Sequence, residues 1–140
     1  MTNGAAAGGD TPAGVLICDD NDAIRRLLTT IVAGDPGLRV VGEAADGNEA
    51  IIEALALHPD VILLDLAMPR RSGLEALPEL RRVAPEARIV VLSGFTSANV
   101  AAEVVALGAA SYVEKGADPA AIVAAITQAL APPSLTTPAS

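Results

Sequence analysis

The sequence predicts an α/β fold with a five-stranded parallel sheet and helices on both faces of the sheet. Five short apolar segments alternate with five stretches that have the helical spacing of apolar residues. The apolar segments are continuous instead of alternating, which is typical of strands buried on both faces and therefore parallel. The predicted strands are residues 15–18, 38–41, 61–64, 88–92 and 111–113.

Start and stop signals mark the first two helices. The first helix begins after Asn21 or Asp22, either of which can cap it, and ends at Gly34. Its apolar residues follow the i, i+3, i+4, i+7 spacing that predicts an inward face: Ile24, Leu27, Leu28 and Ile31. The second helix covers residues 48–57 and stops before Pro59. The residues expected on its inward face are Ile51, Ile52, Leu55 and Ala56.

The other three helices follow the third, fourth and fifth strands. Ser72 is expected to cap the third helix, and Pro78 should kink that helix or displace its start. The fourth helix covers residues 98–107. The last begins at Asp118-Pro119, a cap followed by proline at the first helical position. The residues expected on its inward face are Ile122, Val123, Ile126 and Leu130.

A chain of 140 residues has the usual length of one domain. We assign that domain to residues 14–131. Residues 1–13 contain little to bury and predict a flexible leader, and residues 132–140 predict a flexible tail or the stub of a linker. The composition is 51% apolar but only 1% aromatic, so the core is expected to be aliphatic.

Charge and hydropathy exclude several classes of function. A net charge of −8 argues against direct binding to nucleic acid, which needs clustered basic residues. The same charge disfavours anionic membranes, and no apolar stretch approaches the ~20 residues of a membrane span. The first residues lack the pattern of a signal peptide. The single cysteine, Cys18, lies in an apolar strand and is expected to be a buried, inert thiol in the cytoplasm.

Polar residues follow four of the predicted strands. Asp19 and Asp20 come after the first strand, Asp65 after the third, Ser93 after the fourth, and Lys115, the single lysine, shortly after the fifth. Ligands of open parallel sheets bind beyond the carboxyl ends of the strands. Carboxylates that close together repel one another unless a cation lies between them, and oxygen ligands suit Mg²⁺. A lysine beside such a metal indicates a phosphoryl group as the further ligand.

Five segments resemble, in order and spacing, the signatures of the receiver domain of two-component response regulators. They are Cys-Asp-Asp-Asn-Asp at 18–22, Leu-Leu-Asp-Leu-Ala-Met-Pro at 63–69, Ser-Gly-Leu-Glu-Ala-Leu at 72–77, Val-Val-Leu-Ser-Gly-Phe at 90–95 and Gly-Ala-Ala-Ser-Tyr-Val-Glu-Lys-Gly at 108–116. The residues of these motifs are most similar to those of the NarL/LuxR-like branch of the family. The resemblance implies the flavodoxin-like strand order 2-1-3-4-5.

The resemblance implies that Asp65 is the phosphoacceptor. It implies Mg²⁺, or Mn²⁺ in its place, held by Asp20, Asp65 and the backbone carbonyl of Ala67, with Asp19 acting through water. It implies further that Lys115 contacts one phosphoryl oxygen.

The remaining phosphoryl contacts and the switch also come from the resemblance. Ser93 would donate its hydroxyl to the phosphoryl group, and Gly94, lacking a side chain, would leave the site open to a donor. After phosphorylation Ser93 would move and Tyr112 would turn inward. That repacking would alter the face made by the fourth helix, fifth strand and fifth helix. Ala67 and Phe95 resemble variable positions that tune the lifetime of the aspartyl phosphate.

The partners implied are a histidine kinase or phosphotransfer protein, a homodimer, and an output domain or target protein for which these 140 residues contain no candidate. The expected role is a signalling switch and not an enzyme. Two alternatives stay open. Asp20-Asn21-Asp22 is also similar to the Asp-x-Asp of haloacid-dehalogenase-like phosphatases, although Asp65 would then have no role. A receiver-like scaffold without phosphorylation usually lacks one of the acids or the lysine, and this chain lacks neither.

Overall fold

The computed structural model describes residues 11–94 and 98–131 of the chain. The predicted tail, Phe95 and all but the end of the predicted leader lie outside the described residues. The first strand begins at Ala13, whose backbone N–H donates to the carbonyl of Gly37 over 2.9 Å.

Five parallel strands form one sheet, as the sequence predicts. They are β1 (Ala13–Cys18), β2 (Leu38–Ala44), β3 (Val61–Asp65), β4 (Arg88–Ser93) and β5 (Ser111–Glu114). Their order in the sheet is β2-β1-β3-β4-β5, and every neighbouring pair is parallel. The flavodoxin-like order 2-1-3-4-5 is therefore confirmed. The strand order reverses beside β1, and this is where such sheets bind ligands.

Five helices alternate with the strands. They are α1 (Asp22–Ala33), α2 (Gly47–Leu57), α3 (Gly73–Val83), α4 (Ala98–Ala106) and α5 (Pro119–Leu130). None of the helices within the described part of the chain has the length and apolar character needed to cross a bilayer.

Alternate residues of the central strands belong to two hydrophobic clusters, one on each face of the sheet. One cluster contains Leu16, Ile62 and Ile89 with buried residues of α2, α3 and α4. The other joins neighbouring strand positions, such as Val15 and Leu63, to α1 and α5. Both faces are thus covered, which explains why the strands read as continuous apolar runs.

Two of the predicted helix caps are present. The Asn21 side chain accepts a hydrogen bond from the N–H of Ile24 over 3.0 Å. Ser72 and Glu75 form a reciprocal capping box at the start of α3, which continues through Pro78 without a displaced start. Asp118 occupies the cap position of α5, but its side chain makes no capping hydrogen bond.

The predicted inward face of α2 is largely wrong. Ile52 and Leu55 are 63% and 56% exposed, whereas Ala50 and Ala54 are fully buried. The apolar residues of α2 are distributed around the helix, so their spacing alone does not show which face is buried. The two alanines belong to the same buried cluster as Leu77 of α3, and their small size suits close helix packing. In α1, Leu27 is likewise exposed, at 53%.

Candidate functional site

The strand register brings the predicted polar residues to one edge of the sheet. Cys18 pairs with Leu64, Asp65 with Leu92, and Ser93 with Glu114. Because these strands are parallel and in register, their carboxyl ends lie at the same edge of the sheet. Asp19 and Lys115 are each the next residue after their strand.

The three predicted acids lie together, and the lysine lies between two of them. Asp19, Asp20 and Asp65 each offer a carboxylate oxygen, and these three atoms lie within 4.8 Å of one another. The Lys115 ammonium lies 2.8 Å from Oδ2 of Asp19 and 3.0 Å from Oδ2 of Asp65. Three carboxylates and one ammonium leave a net charge of −2 at this edge when all are ionised. The structure therefore gathers four of the predicted residues in one charged site.

Asp19 is held rigidly at the end of β1. It is fully buried, its backbone N–H donates to the carbonyl of Ala44 over 3.0 Å, and its Oδ1 accepts from the N–H of Asn21 over 2.9 Å. The second carboxylate oxygen faces Lys115. Asp20, the next residue, is exposed.

Asp65 is 2% exposed at the end of β3. Its Oδ1 accepts from the N–H of Ala67 over 3.1 Å, and its Oδ2 faces Lys115. Burial raises the pKa of the Asp65 carboxyl, and the hydrogen bonds from Lys115 and Ala67 partly oppose that rise. Burial also works against the charged form of Lys115, but its bonds to Asp19 and Asp65 outweigh it and raise the pKa of the ammonium.

The donor set fits a hard divalent cation. All three candidate ligands are carboxylate oxygens, and Mg²⁺ prefers oxygen. Two of the acids are buried, so their mutual repulsion is screened little by water. The ammonium of Lys115 neutralises part of this charge, and a divalent ion would neutralise the remainder.

The other predicted residues lie in or just after β3, β4 and β5. Ser93 is 2% exposed at the end of β4, and its carbonyl accepts from the N–H of Lys115 over 2.9 Å. Gly94 and Ala67 are exposed, and a Cβ added at Gly94 would meet no atom of the described residues within 4 Å, its chain neighbours aside. Tyr112 is half-buried against the cluster shared with α2 and α3, and it pairs with Val91 in the sheet.

Gly73 is a site residue to which sequence analysis gave no role. A Cβ at Gly73 would lie 2.0 Å from the backbone oxygen of Asp65 and 2.8 Å from its carbonyl carbon. The N–H of Gly73 donates to the carbonyl of Leu66 over 2.9 Å. The start of α3 therefore packs directly on the backbone that carries Asp65. The sequence signal was Ser72-Gly73, which places a glycine where a capped helix begins.

A second group of unpredicted contacts ties the β3–α3 loop to the start of α2. Asp46 is 3% exposed, and its carboxylate accepts from the N–H of Glu49 over 2.9 Å and from Nε of Arg70 over 2.6 Å. Arg70 has a left-handed backbone, with φ 62°. The N–H of Gly47 donates to the carbonyl of Arg71 over 2.7 Å. These contacts fix the loop that contains Ala67.

We expect Asp46→Ala to lower the free energy of unfolding by about 1–3 kcal/mol, because it removes a helix cap and the hydrogen bond that the buried Asp46 carboxylate accepts from Arg70. The capping hydrogen bond from Glu49 and the bond from Arg70 hold the pKa of Asp46 below its usual range. Its contribution is therefore present at neutral pH and disappears as the pH falls through that lowered pKa. Urea unfolding at two pH values measures both effects.

The matched control for this variant is Asp118→Ala, because Asp118 occupies a cap position without a side-chain cap bond. It should change the free energy of unfolding by about 0.5 kcal/mol or less. Equal losses in the two variants would contradict the role given to Asp46.

Sequence comparison places this chain in a known family. A family model described as "Response regulator receiver domain" matches residues 15–127. A protein-glutamate methylesterase/protein-glutamine glutaminase from Azospirillum brasilense is 41% identical over 112 residues, which cover 79% of this chain and 28% of that protein. The chain spans between about a quarter and just over half of the curated relatives that it matches.

Solved structures agree. A two-component response regulator of the LuxR family from Aurantimonas sp. SI85-9A1 superposes with a TM-score of 0.82 at 32% identity, over 86% of each chain. A second match is a response regulator from Burkholderia pseudomallei, solved with a phosphorylated aspartic acid, calcium ion and citrate. It superposes with a TM-score of 0.75 at 33% identity, over 84% of this chain and 68% of that one. The resemblance inferred from the motifs is confirmed, and the chain belongs to the receiver domain family of two-component response regulators.

Proposed function

We propose that this receiver domain accepts a phosphoryl group on Asp65 in a Mg²⁺-dependent reaction with a phosphorylated histidine kinase or phosphotransfer protein. The observation that carries the proposal is the position of the Lys115 ammonium, 2.8 Å from Asp19 and 3.0 Å from Asp65, beside a cluster of three carboxylates. The Burkholderia relative, solved with a phosphorylated aspartic acid, supports the same chemistry here.

In the proposed reaction an oxygen of Asp65 forms a bond to phosphorus. The bond from phosphorus to the donor breaks, and its electron pair leaves with the donor. Attack by a carboxylate on a charged phosphoryl group needs neutralisation around it. Lys115 supplies one positive charge at a phosphoryl oxygen, and the N–H of Ala67 holds Oδ1 of Asp65 in place over 3.1 Å.

Mg²⁺, or Mn²⁺, would be held by Asp20, Asp65 and the carbonyl of Ala67, with Asp19 acting through water. The metal would supply charge neutralisation for the transferring group. Asp19 and Asp65 are buried and Asp20 is exposed, so a metal held by these carboxylates would remain accessible to solvent beside Asp20.

The remaining roles concern the phosphoryl group and the response to it. We assign Ser93 as a hydroxyl donor to the phosphoryl group and Gly94 as the open approach for the phosphodonor. Among the described residues, leaving aside its chain neighbours, no atom lies within 4 Å of a Cβ placed at Gly94, which supports that approach. Phosphorylation adds charge and acceptor oxygens, so movement of Ser93 and inward rotation of Tyr112 would repack the face of α4, β5 and α5. Ala67 would tune the lifetime of the aspartyl phosphate.

The switched face would bind a partner or a second copy of the chain, and an output domain or separate target would read it. Several relatives are longer than this chain, as expected if receivers act on attached domains. The role is signalling, and we place it in the cytoplasm, where the buried thiol of Cys18 stays reduced.

The test is intact mass after incubation with acetyl phosphate and Mg²⁺. We expect a gain of one phosphoryl group per chain, and no gain when EDTA removes the metal. Continuous release of phosphate from simple phosphate esters would favour a haloacid-dehalogenase-like phosphatase instead. No gain and no turnover, from a folded protein, would favour a scaffold.

A further inference from the structure

Arg25, in the first turn of α1, reaches back to the end of β1. Its Nη1 donates to the backbone carbonyl of Asp19 over 2.7 Å, and its Nε donates to the carboxylate of Glu43 over 2.9 Å. Its Nη2 pairs with the carboxylate of Asp22. The Arg25 side chain is only 16% exposed, although Asp22 is 73% exposed. One guanidinium thus joins the β1–α1 turn, the first turn of α1 and the end of β2.

The contact with the Asp19 carbonyl is the informative one. That carbonyl belongs to the peptide that links Asp19 to Asp20. The N–H of Asp19 is fixed by Ala44, so the bond from Arg25 fixes the other side of the residue. The direction in which the chain leaves Asp19 sets the position of the Asp20 carboxylate, which the buried core does not hold because Asp20 is exposed.

We infer that Arg25 is a positioning residue for the acidic pair Asp19-Asp20, holding the peptide between them so that both carboxylates converge on one divalent cation. The inference rests on the proposed function, because it takes these acids as the Mg²⁺ site. Partners in the outer shell of a metal site commonly set its affinity by orienting the ligands.

Simple electrostatics predicts the opposite sign, which makes the inference testable. Arg25 is a cation close to the cation site, so loss of its charge alone would strengthen Mg²⁺ binding. A purely structural surface ion pair would contribute little to either stability or metal binding. Loss of charge therefore cannot explain weaker Mg²⁺ binding in a folded variant, whereas loss of positioning can.

The experiment is calorimetric titration of the whole chain with Mg²⁺, using the wild type, Arg25→Gln, Arg25→Lys and the control Arg26→Gln. Arg26 is the exposed neighbour on the same helix, so Arg26→Gln measures how removal of a positive charge alone changes Mg²⁺ binding. We expect about 10-fold weaker binding in Arg25→Gln. Arg25→Lys keeps the charge but cannot make three divergent contacts, so its binding should also weaken, by roughly threefold or more. Arg26→Gln should stay within about twofold of the wild type.

A kinetic measurement separates positioning from a general loss of structure. The Mg²⁺ concentration that half-saturates labelling by acetyl phosphate should rise in the Arg25 variants, while the rate at saturating Mg²⁺ should stay within about twofold of the wild type. Circular dichroism establishes that each variant is folded, and Arg25→Lys serves if Arg25→Gln is not.

Unchanged or tighter Mg²⁺ binding in folded Arg25 variants would overturn the positioning role and leave the proposed function intact. Equal weakening in Arg26→Gln would also overturn it, because the effect would then be one of helix charge. Failure of the wild type itself to bind Mg²⁺ would overturn the proposed function, and with it this inference.

Discussion

Replacing Lys115 with methionine should slow labelling of the chain by acetyl phosphate about 100-fold or more, with Mg²⁺ present at saturation. The ammonium lies within 3.0 Å of both Asp19 and Asp65, where a phosphoryl oxygen would arrive. Removing one positioned donor that stabilises the developing charge costs about 10²–10³ in rate. The measurement is the initial rate of mass gain.

The same variant should change the pH dependence of labelling. Burial already raises the pKa of Asp65, and Lys115 opposes that rise. Without the ammonium the pKa of Asp65 should move higher, so the acidic limb of the rate profile should shift to higher pH. In the proposed reaction the nucleophile is the ionised carboxylate, so the rate should fall once the pH drops through that pKa.

Lys115→Arg is the matched control, because it keeps the charge and changes only its shape. It should retain more activity than Lys115→Met. Labelling of Lys115→Met at the wild-type rate, in folded protein, would show that the lysine has no part in the reaction.

Replacing Gly73 with alanine should destabilise the fold by about 3 kcal/mol or more. The new Cβ would lie 2.0 Å from the backbone oxygen of Asp65 and 3.0 Å from the Cα of Leu66. These neighbours are backbone atoms of a buried strand and its turn, so neither can move without displacing Asp65. Urea unfolding measures the loss of stability.

The control for this variant is Gly116→Ala, where an added Cβ meets no atom within 4 Å in the described part of the chain, its own neighbours in sequence aside. It should change the free energy of unfolding by about 0.5 kcal/mol or less. If Gly73→Ala also unfolds within that margin of the wild type, the close packing of α3 on Asp65 does not constrain the site.

Local sequence patterns were sufficient to predict the sheet and the residues that meet at its edge. Strands buried on both faces are apolar throughout, so β1, β3 and β4 are recognisable without knowledge of their partners. Once they are parallel, geometry alone brings Asp19, Asp65 and Lys115 together. The distances from Lys115 to the two acids support that reasoning.

Features that depend on the distance between two elements could not be read from the sequence. The need for glycine at 73 arises only because α3 approaches the Asp65 backbone, and the ion pair between Asp46 and Arg70 joins residues 24 positions apart. The prediction of the inward face of α2 was largely wrong for a related reason. Its apolar residues surround the helix, and close packing selected the two alanines, Ala50 and Ala54, over the larger side chains.

The most direct test of Asp65 as the phosphoacceptor is to locate the phosphoryl group. The chain is labelled with acetyl phosphate and Mg²⁺, the acyl phosphate is reduced with borohydride, and tryptic fragments are sequenced by mass spectrometry. Cleavage after Arg39 and Arg70 yields fragment 40–70, which contains Asp46, Asp60 and Asp65. We expect modification at Asp65 alone, its loss in Asp65→Asn, and its retention in Asp118→Asn. Modification at another residue, or undiminished labelling of Asp65→Asn, would contradict the assignment.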